Sequence, residues 1–127
     1  MLNLGLDYVV FFEDGMTNPK ERKDILDLFR IRGMNILKLS WNQVLHFCGN
    51  MLQIQNKEGE LYTVCSTSAF KFLSNEQKRL ISKRSDFLVV DIPMIEKIGG
   101  GGIRCMLAEV FLNPRNPKNV EELPTRT

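Results

Sequence analysis

Histidine and tryptophan each occur once in this chain of 127 residues, and cysteine occurs three times. A closed zinc site needs about four ligands at suitable spacing, and His46 with Cys48 does not supply them. The cysteines, at positions 48, 65 and 105, form an odd set without a C-x-x-C pair. They read as reduced cytosolic thiols rather than as a disulfide framework. Excess charge of one sign is also missing. Seventeen Lys and Arg against fifteen Asp and Glu leave a net charge of +2, too mild for a nucleic-acid footprint. No apolar run approaches the roughly 18 residues of a membrane span, and the first residues lack the basic and apolar regions of a secretory signal. The carboxylates are scattered, with no pair suited to two-carboxylate chemistry. What is present, 43% hydrophobic and 25% charged residues, is the composition of an ordinary globular domain, and the length fits one domain rather than two. The expectation is a soluble, cytoplasmic α/β protein without cofactor, metal, nucleic-acid or membrane partner.

Asp7 to Phe12 (DYVVFF) reads as a buried strand closed by a turn. A helix follows, with Asn18 as N-cap, Pro19 at the first helical position and Glu21 at the third. Ile25, Leu28 and Phe29 share a face, Arg30 and Arg32 sit in the last turn, and Gly33 stops the helix. Asn35 to Leu39 is a strand, Ser40 caps a short helix through Trp41 to Leu45, and Met51 to Gln55 is a strand again. Asn56 to Glu60 turns a hairpin into Leu61 to Cys65. A second helix opens at Ser74, with Gln77 as capping-box partner, and runs to about Arg84; Lys78-Arg79 and Lys83-Arg84 mark its solvated face. Phe87 to Ile92 (FLVVDI) reads as a strand buried on both faces. Pro93 to Glu96 is a turn or short helix, Gly99 to Gly102 a loop, and Arg104 to Leu112 a last strand. Asn113 to Thr127 is expected to be a poorly ordered tail.

The two halves repeat the same order of elements. Residues 35–40 (NILKLS) align with 87–92 (FLVVDI) at an offset of 52, and Asn50 aligns with Cys105 at an offset of 55, each followed by Met-Leu. A period of about 50 residues points to a repeat or propeller-like architecture. Two unrelated βαβ crossovers would look similar, so this alternative stays open.

Four consecutive glycines, Gly99 to Gly102, precede Ile103-Arg104-Cys105. They permit close approach of another group to the main chain. A Walker loop needs Gly-Lys-Ser/Thr before a helix, and a dinucleotide fingerprint needs glycine where Arg104 stands, so neither fits. The remaining functional reading is a loop that admits a planar substrate to Cys105, attacking as thiolate from the start of a strand. Its competitor is a buried cysteine acting as a small hydrophobe. Cys48 and Cys65 read as packing residues. Strand alternation would turn Arg104 to the opposite face from Cys105, and His46, among Trp41, Val44, Leu45 and Phe47, reads as a structural or surface residue.

The run Ser40-Trp41-Asn42-Gln43, then Phe47 to Leu52 (FCGNML), then Asp91 to Glu109 (DIPMIEKIGGGGIRCMLAE) resembles the C-terminal part of amidinotransferase-like (pentein) proteins. The nearest branch is that of the citrulline hydrolases, relatives of arginine deiminase and dimethylargininase. The resemblance spans about residues 7–112. It implies a five-bladed α/β propeller of ββαβ modules, of which residues 1–112 hold about two, a C-terminal portion. It implies that Cys105 is the nucleophile toward the carbon of a guanidinium or ureido group, with Asn50, Gly101, Gly102 and Arg104 as the residues around the substrate. The small-molecule partner is then a guanidinium or ureido amino acid. A histidine acid–base and substrate-holding carboxylates also belong to that chemistry, and they are expected upstream of Met1, which would leave this chain inactive alone. Ile103, bulkier than expected beside such a loop, predicts a narrowed site. Uncovered module faces predict self-association or a partner chain, and the rival reading is a non-catalytic interaction module that retains Cys105 as a relic.

Overall fold

The computed structural model of the chain describes residues 2–109. Its secondary structure divides into two three-stranded sheets built to one plan. In the first, β1 (Leu2–Leu4) runs antiparallel to β2 (Tyr8–Phe11), and β3 (Asn35–Lys38) lies parallel to β2 after the crossover helix α1 (Pro19–Ile31). Helix α2 (Trp41–Leu45) leads to the second sheet. There β4 (Leu52–Gln55) is antiparallel to β5 (Leu61–Ser66), and β6 (Asp86–Val90) is parallel to β5 after α3 (Thr67–Phe72) and α4 (Asn75–Ile81). Parallel neighbours require such a crossover. Asn35 stands opposite Tyr8 as Asp86 stands opposite Tyr62. Each half is therefore a ββαβ module, and the 35–40 and 87–92 segments both begin within the third strand of their own sheet and run past its end.

Local chemistry accounts for the helices. The Asn18 side-chain oxygen accepts from the Lys20 and Glu21 amides at 3.0 and 3.4 Å, and Gly33, at φ +67°, ends α1 where a side chain would be strained. Ser40 with Gln43, and Ser74 with Gln77, each form a complete capping box. The two boxes interlock. The Gln43 Nε2 group donates to Gln77 Oε1 at 2.7 Å and to the Phe72 carbonyl at 3.0 Å, while Gln77 Nε2 donates to the Lys38 carbonyl at 2.9 Å.

Strand alternation gives β2 two buried faces. Val9 and Phe11 pack on Leu26 and Phe29 of α1, whereas Tyr8 and Val10 join Leu37, Cys48, Met51, Cys65, Ala69 and Ile81 in a core shared by both modules. Polar contacts reinforce that junction. The Asn3 side-chain amide donates to the Met51 carbonyl, the Leu6 amide donates to Gln53 Oε1 at 2.7 Å, and the Tyr8 and Thr63 hydroxyls pair at 3.1 Å.

Several expectations are corrected. Strand β6 is not buried on both faces: it is the outer strand of its sheet, with Leu88 and Val89 exposed. An apolar run does not distinguish a two-sided strand from an edge strand. In α1 the inward face uses Leu26 rather than Leu28, which is exposed. The second helix stops at Ile81, short of Arg84. Strand β1 and helix α3 were not anticipated. The strand expected over Arg104 to Leu112 is absent in its described part, where Ile103–Met106 forms a 3-10 turn. Residues 110–112 and the expected tail, 113–127, lie outside the described residues.

Candidate functional site

The site forms where the approach to β4 meets the glycine loop. After α2, Phe47 adopts φ +60°, an unfavourable angle for a bulky residue, and the Asn50 amide donates to the Phe47 carbonyl at 2.8 Å. This turn presents the Asn50 side chain ahead of β4. On the other side, a π-helical turn spans Ile95–Gly99, and Gly100 leaves it in the left-handed region at φ +65°. Only glycine takes that angle without strain. The chain then enters the Ile103–Met106 turn, in which the Cys105 amide donates to the Gly102 carbonyl at 3.1 Å. Ile103 is buried with Val64 and Ile92. It anchors the turn to the second sheet instead of narrowing the site, and Cys105 is left exposed on the outer side.

All five sequence-derived site residues come together. Asn50 Nδ2 donates to Cys105 Sγ at 3.1 Å, and Asn50 Oδ1 accepts from the Arg104 amide at 2.9 Å. A Cβ on Gly102 would lie 2.7 Å from that oxygen, so the missing side chain is what lets Asn50 approach. A Cβ on Gly101 would lie 3.3 Å from the Cys105 sulfur, so glycine keeps the space beside the sulfur open. The Arg104 guanidinium donates to the Met51 carbonyl at 3.5 Å. Because Cys105 stands in a turn and not a strand, alternation does not separate it from Arg104.

The electrostatics follow from these contacts. The Asn50 side-chain amide, and after it a main-chain contact with Gly102, hold the Cys105 thiol below the usual cysteine range against desolvation; the Cys105 main chain and the Arg104 charge contribute less. Cys48 and Cys65, fully buried, behave oppositely: burial pushes each thiol up to about 12. They are packing residues. His46 is committed elsewhere, with its ring stacked on Phe72 at 3.4 Å and its Nδ1 paired with the Asn42 carbonyl at 2.8 Å. Among the described residues no group of three or more His, Cys, Asp or Glu is arranged to hold a metal ion, and no helix is long and apolar enough to cross a membrane.

Two participants escaped the sequence reading, Asn3 and the Met51 carbonyl that it shares with Arg104. A polar residue flanked by Leu2 and Leu4 is the available signal: Asn3 is only 2% exposed while both leucines are exposed. A buried carboxamide needs a partner.

Two ββαβ modules meeting at an exposed thiol beneath a glycine turn fit a guanidine-modifying protein of pentein type. Residues 1–112 match the family described as N,N dimethylarginine dimethylhydrolase, eukaryotic, and the chain belongs to that family. Searches of curated proteins and of solved structures return no match.

Proposed function

We propose that this chain supplies the nucleophilic half of a hydrolase acting on the guanidino C–N bond of methylated arginine. The observation that carries the reading is Asn50 Nδ2 donating to an exposed Cys105 sulfur at 3.1 Å, in a chain that belongs to the dimethylarginine dimethylhydrolase family. The thiolate attacks the guanidinium carbon, forming an S–C bond as the C=N electron pair moves onto nitrogen. That pair re-forms the double bond, the C–N bond to dimethylamine breaks, and the amine departs with a proton from a general acid. Water then adds to the S-linked carbon and gives up one proton to the base left by the general acid. Its second proton leaves as the oxygen lone pair forms the C=O bond, the C–S bond breaks with its electron pair on sulfur, and the thiolate returns, leaving a ureido product. Gly101 leaves room for the planar group beside the sulfur, and Arg104 offers a cation to the substrate's carboxylate. Gly102 and Asn50 complete the wall.

The general acid is not His46, whose ring is held by Phe72 and Asn42. Among the described residues no carboxylate acts on the Cys105 thiol, and a thiolate without an acid partner and a carboxylate for the substrate cation lacks most of the transition-state stabilisation. We therefore assign those groups to another part of the enzyme, and the apolar faces left open to a covering chain or second copy.

The test is amine or ammonia release from Nω,Nω-dimethylarginine, arginine and citrulline by the purified 127-residue chain, together with cysteine-selective labelling at neutral pH. No turnover, with labelling confined to Cys105, is expected. Turnover abolished by Cys105→Ser would keep the nucleophile and overturn the incompleteness. Turnover that survives that substitution, or Cys105 labelling no faster than a free cysteine, would overturn the nucleophile itself.

A further inference from the structure

Asn50 uses both ends of its carboxamide within the site. Its N–H group points at the nucleophilic sulfur, and its oxygen holds the main chain of the residue before it. The turn that delivers it carries an unfavourable angle at Phe47, φ +60°, of the kind that persists only where surrounding contacts enforce it. The neighbouring Met51 carbonyl receives both the Asn3 amide and the Arg104 guanidinium, so the segment is held from the first module and from the nucleophile's own turn. Gly102, at φ −112°, needs no glycine for its backbone. It needs one for space, because a Cβ would meet Asn50 Oδ1 at 2.7 Å and its Cγ at 2.8 Å.

We infer that Asn50 is a positioning residue for Cys105, fixing the sulfur's place and favouring its thiolate through one donated hydrogen bond, and that Gly102 is glycine so that Asn50 can reach it. This rests on the reading of Cys105 as nucleophile and adds to it a role that does not involve contact with substrate. A charge-assisted hydrogen bond to a thiolate is stronger than the same bond to a thiol, so it favours ionisation. Arg104 is the charged side chain acting on the sulfur, and every variant below retains it.

The experiment is the pH dependence of iodoacetamide alkylation at Cys105, followed by mass spectrometry on the full 127-residue chain, with a thermal melt as a folding control. Asn50→Asp keeps the oxygen that anchors Arg104 while replacing the donor with a charge that opposes a thiolate. Asn50→Ala removes both contacts. The midpoint of the alkylation profile is expected to rise in both variants, further in Asn50→Asp. Gly102→Ala is expected to raise it in the parent chain and to raise it less in the Asn50→Ala background, where the Oδ1 and Cγ contacts are gone and only the Cβ at 3.1 Å remains. If Asn50→Ala fails to fold, Asn50→Asp decides the question. An unchanged midpoint in a folded Asn50→Asp chain overturns the inference, and equal shifts from Gly102→Ala in both backgrounds overturn the role given to Gly102. Alkylation needs no turnover, so the two readings fail separately. A parent Cys105 that ionises like a free cysteine removes the proposed nucleophile, whereas an activated Cys105 indifferent to residue 50 removes only the positioning role.

Discussion

Burial holds the Cys48 and Cys65 protons in place up to about 12, while the Asn50 amide and the glycine turn draw the Cys105 thiol downward. Stability should carry the mark of the buried pair. A thiol whose pKa is raised in the folded state keeps its proton after the unfolded chain has lost it. Its contribution is therefore intact below about pH 8.5 and is lost progressively as pH rises toward 12. Each proton retained only by the folded chain corresponds to a slope of about 1.4 kcal/mol per pH unit in that window. Melting temperatures measured across it should fall, and a flat profile would show that the two thiols are not buried as described. At this scale the sequence marked the Gly99–Gly102 run, two of whose glycines the structure uses for space, Gly101 beside the Cys105 sulfur and Gly102 beside Asn50. It was silent on Asn3, whose partner lies 48 positions away. It misplaced Ile103 because burial depends on Val64 and Ile92, which no local pattern connects to it.

Capping residues made α1, α2 and α4 readable, since each cap is decided within a few positions. Ser74→Ala should cost about 1 kcal/mol, measured by denaturant unfolding. Gln43 and Gln77 should be coupled beyond their own caps because their side chains meet at 2.7 Å. A double-mutant cycle with Gln43→Ala and Gln77→Ala is expected to show an interaction of about 1 kcal/mol, and strictly additive losses would mean that the interlock contributes nothing. Elements without such local marks were missed. Helix α3 begins directly at the end of β5, with Ser66 both closing the strand and capping the helix through the Ala69 amide; no intervening loop announces it. Strand β1 has three residues, too few to show alternation. The apolar character of FLVVDI suggested a central strand, yet its outer position is set by the order of the sheet, which no single segment encodes.

The repeat that was visible as a period of about 50 residues is realised as two modules of equal topology sharing one core. Tyr8, Met51, Cys65 and Ile81 are all fully buried in that shared cluster, so the modules should unfold together in one transition. Met51→Ala should cost about 2–5 kcal/mol, and two separable transitions in calorimetry would contradict the shared core. Large apolar side chains stay exposed in both modules, among them Leu4, Leu6 and Ile31 in the first and Met94, Ile98 and Leu107 in the second. Surface of this kind predicts concentration-dependent association, which sedimentation velocity would register as a rising average mass, whereas a strict monomer would contradict it. The modules bring the aligned residues Asn50 and Cys105 into contact, and on our proposal this contact sets one thiol of three apart as the nucleophile. Labelling all cysteines with carbon-13 at Cβ and titrating by NMR tests it most directly. Cys105 is predicted to ionise below an unperturbed cysteine titrated alongside it, with Cys48 and Cys65 unchanged through that range; a Cys105 that titrates at or above that reference would show that Asn50 does not activate it.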